Sequence, residues 1–287
     1  MQHLADHPAH ASVSPPTPRK AWVAIWITLL LLWVLALLWG PDLIQRMGID
    51  LNAHGHVSLY EHDHPFVDAR TLWGMPNGMD VLSNTPLGLA GLIGLLTLRG
   101  KPVSRATRNA MAVFFAGLLL AGMGSAWYHW LPDASGLVVD RLGMAVTFAG
   151  AIAVALAERI DQRAAQTSLV AILATAIVSA ALPFTHGNVL TWVVVQFGGM
   201  ALILWAAMQT RLADAVGVNL GALIAIYVLA KLCELNDATL FHLSGEWISG
   251  HSLKHGVAAL AVLPVIVALL RQNAQAPRPH TFSPNAL

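Results

Sequence analysis

Long uncharged apolar runs dominate this sequence and restrict what it can fold into. The first run, AWVAIWITLLLLWVLALLWG at 21–40, has 20 residues and no charge, and a helix needs roughly 20 residues to cross a bilayer. Only 11% of all residues are charged, whereas soluble domains carry about 25%. The sequence therefore predicts an all-α polytopic membrane protein. The predicted spans are 21–40, 79–98, 110–131, 136–157, 167–184, 189–208, 214–232 and 251–270.

The region before the first span is polar and contains several prolines and histidines, so we predict a disordered tail at 1–20. A cleavable signal peptide is the alternative interpretation of 21–40. It is the weaker one, because the run is longer than the apolar core of a signal and no small-x-small cleavage site follows it. The single Cys233 excludes an internal disulfide and a thiolate zinc site. A net charge of +1 argues against a nucleic-acid partner.

The lysines and arginines predict the orientation of the spans. If eight spans alternate, one side holds Arg19, Lys20, Arg99, Lys101, Arg105, Arg108, Arg159, Arg163, Arg211, Arg271 and Arg278. The opposite loops hold Arg46 and Arg70. Positively charged loops stay in the cytoplasm, so we expect both termini there. Trp73, Trp127, Trp130 and Trp247 then lie near the outer interface, as in an aromatic belt.

Three histidines lie at the outer ends of predicted spans. His251 and His255 are four residues apart, and so are Ser125 and His129, so each pair occupies one face of a helix. Asp140 opens the next span at the same predicted depth. Three imidazoles can hold a zinc ion and leave one position for water. A carboxylate then serves as acid and base, and a hydroxyl stabilises an oxyanion.

Each of these residues also has a structural interpretation. An isolated HxxxH pair seldom binds a metal, and a serine in a membrane helix is commonly a packing residue. The shared depth of all five groups favours the metal site. At this depth we also expect Asp80, Ser83 and Asn84, which either support the metal ligands or, for Asp80, cap a helix.

Other polar residues carry weaker expectations. We expect Lys254 to point to a different face from the histidines, and to reach the interface or pair with a carboxylate. Glu234 and Asp237 have an expected structural role within the bundle. His54, His56, His62 and His64 lie in the predicted outer loop, where they form a second metal site or, as we favour, part of an exposed polar loop.

The order of the motifs resembles the CREST superfamily of membrane hydrolases, which includes the alkaline ceramidases and the progestin and adiponectin receptors. The segments MDVLSN (79–84), GSAWYH (124–129), DRLGM (140–144) and SGHSLKH (249–255) are most similar to the alkaline ceramidase branch. RTLWGMPNGMDVLSN resembles bacterial ceramidase-domain proteins, and the resemblance covers about residues 66–270. The acidic, Trp-containing calcium motif of the eukaryotic enzymes has no counterpart, and Gly143 stands where many relatives have proline.

The resemblance implies a seven-helix CREST-type bundle at 79–270, with 21–40 as one extra N-terminal transmembrane helix, 41–78 as an outer loop and 271–287 as a cytoplasmic tail. It implies zinc on His129, His251 and His255, with Ser125 supporting the oxyanion and Asp140 as the acid and base. The implied reaction is hydrolysis of a ceramide-like lipid with a long acyl chain. Together with the charge pattern, it places the site at the periplasmic face of a bacterial inner membrane.

A non-enzymatic protein that uses the same histidines, either a receptor-like sensor or a transporter, is the alternative function. A transporter is expected to have acidic residues along a path through the membrane. The inner halves of these spans lack such a path, which disfavours transport. A receptor remains open at this point because the fold does not fix the function.

Overall fold

The described part of the chain is built from α-helices. A computed structural model gives the structure of residues 18–47 and 66–274. Within these ranges the β-structure is an isolated bridge between Leu72 and Met75. The helices are α1 (Pro18–Arg46), α2 (Gly78–Leu82), α3 (Thr85–Leu98), α4 (Arg105–Trp130), α5 (Ala134–Arg159), α6 (Gln162–His186), α7 (Leu190–Ala207), α8 (Leu220–Leu235), α9 (Asp237–Leu243), α10 (Gly250–Ala259) and α11 (Val262–Ala274).

Five single helices and two pairs of consecutive helices can each cross a membrane by length and composition. In the described ranges, seven segments meet that condition: Pro18–Arg46, Gly78–Leu98, Arg105–Trp130, Ser135–Arg159, Gln162–Pro183, Leu190–Ala207 and Gly250–Gln272. α8 stands at the predicted seventh span, but its 16 residues fall just below the roughly 17 that a span requires. The predicted all-α polytopic membrane class is confirmed.

The start of α8 corrects the predicted span 214–232. Residues before Leu220 are not helical, because three consecutive backbone N–H groups at 216–218 donate to the buried Glu158 carboxylate at 2.8–3.0 Å. The three N–H groups thus have a hydrogen-bond acceptor without forming a helix. Buried backbone N–H groups require such an acceptor. Hydrophobic composition alone did not reveal this acceptor, so the predicted span began too early.

α1 is longer than the predicted span 21–40, and the predicted outer loop at 41–78 therefore begins inside a helix. Pro41 lacks the N–H that would donate to the carbonyl of Leu37. The side-chain amide of Asn188 donates instead, at 3.4 Å to Leu37 and at 2.9 Å to Ala36. α1 starts at Pro18, so the predicted tail 1–20 ends within a helix, and α11 continues to Ala274, so the predicted tail 271–287 begins within one. Their remaining residues lie outside the described ranges.

The helices form a ring around the centre of the bundle. In order, α3 packs on α4, α4 on α5, α5 on α7, α7 on α8 and α8 on α10, while α10 and α11 return to α3. α6 packs outside this ring against α4, α5 and α7. α1 packs against α7, and its Trp26 and Trp33 donate indole N–H bonds to Ser168 and Ser179 of α6. The centre of the ring is therefore separate from α1.

Small residues let α4 and α5 approach closely. A methyl group at Gly150 would lie 2.2 Å from the backbone nitrogen of Phe114, and one at Gly143 would lie 2.4 Å from the Cα of Ala121. Membrane helices use such contacts because packing, rather than exclusion of water, drives their association. The approach fixes the end of α4, which carries Ser125 and His129, against the start of α5, which carries Asp140.

Candidate metal centre

His129, His251 and His255 come together at one end of the ring. One nitrogen from each of them lies within 4.8 Å of the other two, so the three side chains can hold a metal ion. The Nε2 atoms of His129 and His251 are 3.0 Å apart. The three rings meet edge to face, with centroids 4.7–5.6 Å apart. The predicted convergence of three separate sequence positions is confirmed.

The donor set fits zinc. Tetrahedral ligands at 2.0–2.1 Å from a zinc ion lie about 3.4 Å from one another, which is close to the separation of His129 and His251. Imidazole nitrogen is a common zinc ligand, and three such ligands leave one coordination position open. His129 and His255 are buried and His251 is half-buried. The cluster is therefore accessible on the side of His251.

Ser83 sets the orientation of the His255 ring. Its Oγ lies 2.8 Å from Nδ1 of His255 and donates to the backbone carbonyl of Asp80 at 2.9 Å. With the hydroxyl hydrogen on that carbonyl, Nδ1 of His255 can donate to Ser83, which leaves the lone pair on Nε2. A partner on the distal nitrogen is the usual way in which proteins orient a metal-binding histidine.

Asp80 supports the start of α10. Its Oδ1 accepts from the hydroxyls of Ser252 at 2.6 Å and Ser249 at 3.3 Å. The cap expected of Asp80 is not formed, since α2 has Asn77 at its N-cap position. Asn84 donates to the backbone carbonyl of Asp80 at 2.8 Å. Of the three predicted supporting residues, Ser83 contacts a histidine ring, whereas the interactions of Asp80 and Asn84 serve the surrounding backbone and serines.

Ser125 and Asp140 lie beside the histidine cluster. The Ser125 hydroxyl is 3.5 Å from Nε2 of His255. Both side chains and His255 line one cavity of about 130 Å³. The structure thus places a hydroxyl and a carboxylate next to one side of the cluster.

A group of three charged residues lines the same cavity. Lys254 donates to Oε1 of Glu234 at 2.6 Å, and Lys231 donates to Oε2 of the same carboxylate. The expected pairing of Lys254 with a carboxylate is confirmed. Its expected separation from the histidine face is wrong, because Lys254 and His255 line one cavity.

A second cavity continues from the first toward the opposite end of the ring. It has a volume of about 150 Å³ and shares Leu87, Ala121, Met144, Tyr227 and Ala258 with the first. Its deeper wall is almost entirely apolar, formed by Phe114, Leu118, Thr147, Phe148, Ala151, Met200, Ile203, Leu223 and Ala261. The two cavities together offer a polar end beside the histidines and an apolar extension, a composition typical of sites for amphiphilic ligands.

The segment before α2 covers the cluster. The Phe66 ring stands edge-on to His129 with centroids 4.9 Å apart, and Asn77 donates to the backbone carbonyl of His129 at 3.0 Å. Arg70 forms a double hydrogen bond with buried Asp68, which raises the pKa of Arg70 above its ordinary value. Arg70 also donates to the backbone carbonyl of Trp247 at 3.0 Å. This covering segment therefore connects to the loop before α10.

Sequence reasoning missed several of these contacts. Asn77 and Phe66 carry no spacing signal, because they act through a backbone carbonyl and a ring contact. A signal was available for Ser249, because serine is favoured at the N-cap of a helix and its hydroxyl accepts from the backbone N–H of Ser252. The sequence carried no prediction for Lys231. The histidines at 54–64 lie outside the described residues.

Comparisons with known proteins do not identify this chain. No family model and no curated protein matches the sequence.

Proposed function

We propose that the protein is a zinc-dependent intramembrane hydrolase of a lipid amide. The observation that carries this proposal is the three-histidine cluster next to Ser125 and Asp140, at the polar end of an apolar cavity. The resemblance to alkaline ceramidases supports the same chemistry and makes ceramide the implied substrate, which would give a sphingoid base and a fatty acid.

His129, His251 and His255 would hold the ion. When bound, zinc supplies Lewis acidity, which polarises a carbonyl and lowers the pKa of a coordinated water to about 7. The histidine rings keep their ligand nitrogens directed at one point, and the Ser83 contact holds His255 in the tautomer that this role needs.

Asp140 is the residue that moves the proton. It takes a proton from the attacking water and passes it to the amide nitrogen as the carbon–nitrogen bond breaks. Ser125, which shares the cavity with Asp140 and lies 3.5 Å from Nε2 of His255, would donate its hydroxyl hydrogen to the oxygen that gains charge. General acid–base groups contribute about 10²–10⁴-fold to such reactions, so Asp140 is expected to dominate turnover without holding the metal.

The apolar cavity binds the acyl chain. It runs from the polar end past Tyr227 to Ala151 and Ile203. Asp140 and Ala151 are eleven residues apart on α5, a rise of roughly 16 Å. An alkyl chain buried along this length gains about 0.8 kcal/mol per methylene. The substrate therefore binds with its acyl chain in the apolar cavity and its amide at the histidine end.

The proposed orientation puts this end at the periplasmic face of a bacterial inner membrane, with both termini in the cytoplasm. It requires α8 to cross the membrane as one of eight spans. The charge asymmetry of the loops supports it. Trp73 and Trp247 at the same end are 89% and 79% exposed, as expected for side chains in a membrane interface. A C-terminal reporter active only in the periplasm should stay silent, and a strong signal would reverse the orientation.

The test is metal analysis and lipid turnover on one purified sample. Wild-type protein in detergent is expected to release fatty acid from a long-chain ceramide or a related N-acyl lipid. The variant His255→Ala should lose this release, whereas His186→Ala, at an exposed histidine outside the cluster, should retain it. Equal activity of both variants would exclude the histidine cluster as the reaction centre.

A further inference from the structure

The charged group of Lys231, Glu234 and Lys254 has no part in the proposed chemistry, although it shares the cavity of Ser125, Asp140 and His255. Two ammonium groups contact one carboxylate. Ionisable side chains at membrane depth are costly and usually functional. A structural tie between α8 and α10 would need a single lysine, so the second lysine requires another explanation.

Lys254 lies close to the reacting groups. It is near enough to both Asp140 and His255 to interact with them electrostatically. Its side chain is 20% exposed and that of Lys231 is 37% exposed, so neither ammonium is sealed in the protein. A ligand in the cavity can therefore reach both groups without displacing a helix.

Both ammonium groups have donors to spare. Each carries three N–H donors, and in the described residues each makes a side-chain hydrogen bond to Glu234. The remaining donors need acceptors, and a bound anion supplies several at once. Hydrogen bonds between ionised partners are also stronger than neutral ones.

We propose that Lys231 and Lys254 bind a carboxylate on the amine portion of the lipid, so that this enzyme prefers N-acyl amino acids to neutral ceramide. The inference rests on the proposed amide hydrolysis and narrows its substrate. In an N-acyl amino acid one carbon separates the carboxylate from the amide nitrogen, so the carboxylate must lie beside the reaction centre, where Lys254 is. Water adds its oxygen to the acyl carbon, the carbon–nitrogen bond breaks, and the nitrogen receives a proton. The products are a fatty acid and a free amino acid.

A matched pair of substrates tests the head group. N-palmitoylglycine and N-palmitoylethanolamine have the same acyl chain and the same amide. The first carries a carboxylate where the second carries a hydroxymethyl group. We expect kcat/KM to favour the glycine lipid by roughly tenfold or more, as expected for hydrogen bonds to a charged group. Equal kcat/KM values for the two lipids, or a preference for the ethanolamine lipid, would overturn the inference.

Lysine variants separate recognition from folding. Lys254→Met and Lys231→Met should each reduce the preference for the glycine lipid, mainly through KM, whereas Lys254→Arg should keep most of it. Lys20→Met, at an exposed lysine of α1, serves as the matched control and should leave the preference unchanged. A methionine variant that loses activity on both lipids in the same proportion would show that its lysine is structural and would contradict the inference.

A binding measurement distinguishes this inference from the proposed function. Chelator-treated protein should be stabilised against heat by N-palmitoylglycine more than by N-palmitoylethanolamine, and Lys254→Met should abolish the difference. If neither lipid is hydrolysed but this lysine-dependent difference remains, the proposed hydrolysis fails and the anion site stands. If both lipids are hydrolysed and bind equally, the hydrolase stands and the anion site fails.

Discussion

Ser83, in the turn between α2 and α3, contacts His255 of α10, with 2.8 Å between Oγ and Nδ1. The contact fixes which ring nitrogen of His255 faces His129 and His251. The end of α2 thereby controls a ligand that α10 carries.

Replacing Ser83 by alanine should weaken metal binding. The His255 ring would lose the partner that holds its orientation, and loss of such partners typically reduces metal affinity by about 10–100-fold. Competition with a zinc chelator measures the affinity. Thr97→Ala is the control, because this exposed hydroxyl of α3 bonds its own helix. If both variants have the affinity of the wild type, Ser83 does not orient the ligand.

Asp140→Asn should keep the metal and lose most turnover. The amide retains the shape of the side chain, but it cannot accept a proton. We expect kcat to fall by about 10²–10⁴-fold. Fatty-acid release and metal content are measured on the same preparation. A variant with the wild-type rate would assign Asp140 a structural role.

Glu158→Gln should destabilise the end of the bundle away from the metal centre. The buried carboxylate accepts from three backbone N–H groups at 216–218, and an amide nitrogen would face some of these donors. Hydrogen bonds to charged groups contribute about 1.5–3 kcal/mol each. The free energy of unfolding in detergent should therefore fall by about 2 kcal/mol or more. Asp161→Asn, which keeps a helix cap, is the control. Equal stability of the two variants would show that the carboxylate charge is not needed.

Filling the deep cavity should shorten the preferred acyl chain. Ala151 lies in the apolar wall far from the histidines, and Ala151→Phe would occupy the space that the chain end needs. Each excluded methylene forfeits about 0.8 kcal/mol of burial. The ratio of kcat/KM for long-chain and short-chain substrates should therefore fall in the variant. An unchanged ratio would place the acyl chain outside this cavity. Equal cleavage of a water-soluble two-carbon amide and a long-chain lipid by the wild type would lead to the same conclusion.

The sequence predicted the elements of the site well, because helical spacing and alternating spans determine depth in the membrane. His129, His251 and His255 could be placed together on that basis. Depth does not determine the rotation of one helix about its axis, so the position of Lys254 beside His255 was not predicted. Likewise, side chains that replace lost backbone bonds, such as Asn188 beside Pro41, extend a helix where composition predicts its end.

The most direct test of the account is the zinc content of the purified protein and of its variant in which His129, His251 and His255 are all alanine. Elemental analysis should find one zinc per wild-type chain and none in the variant, while His186→Ala retains one. Full zinc content in the triple variant, with the helical circular dichroism of the wild type, would contradict the account.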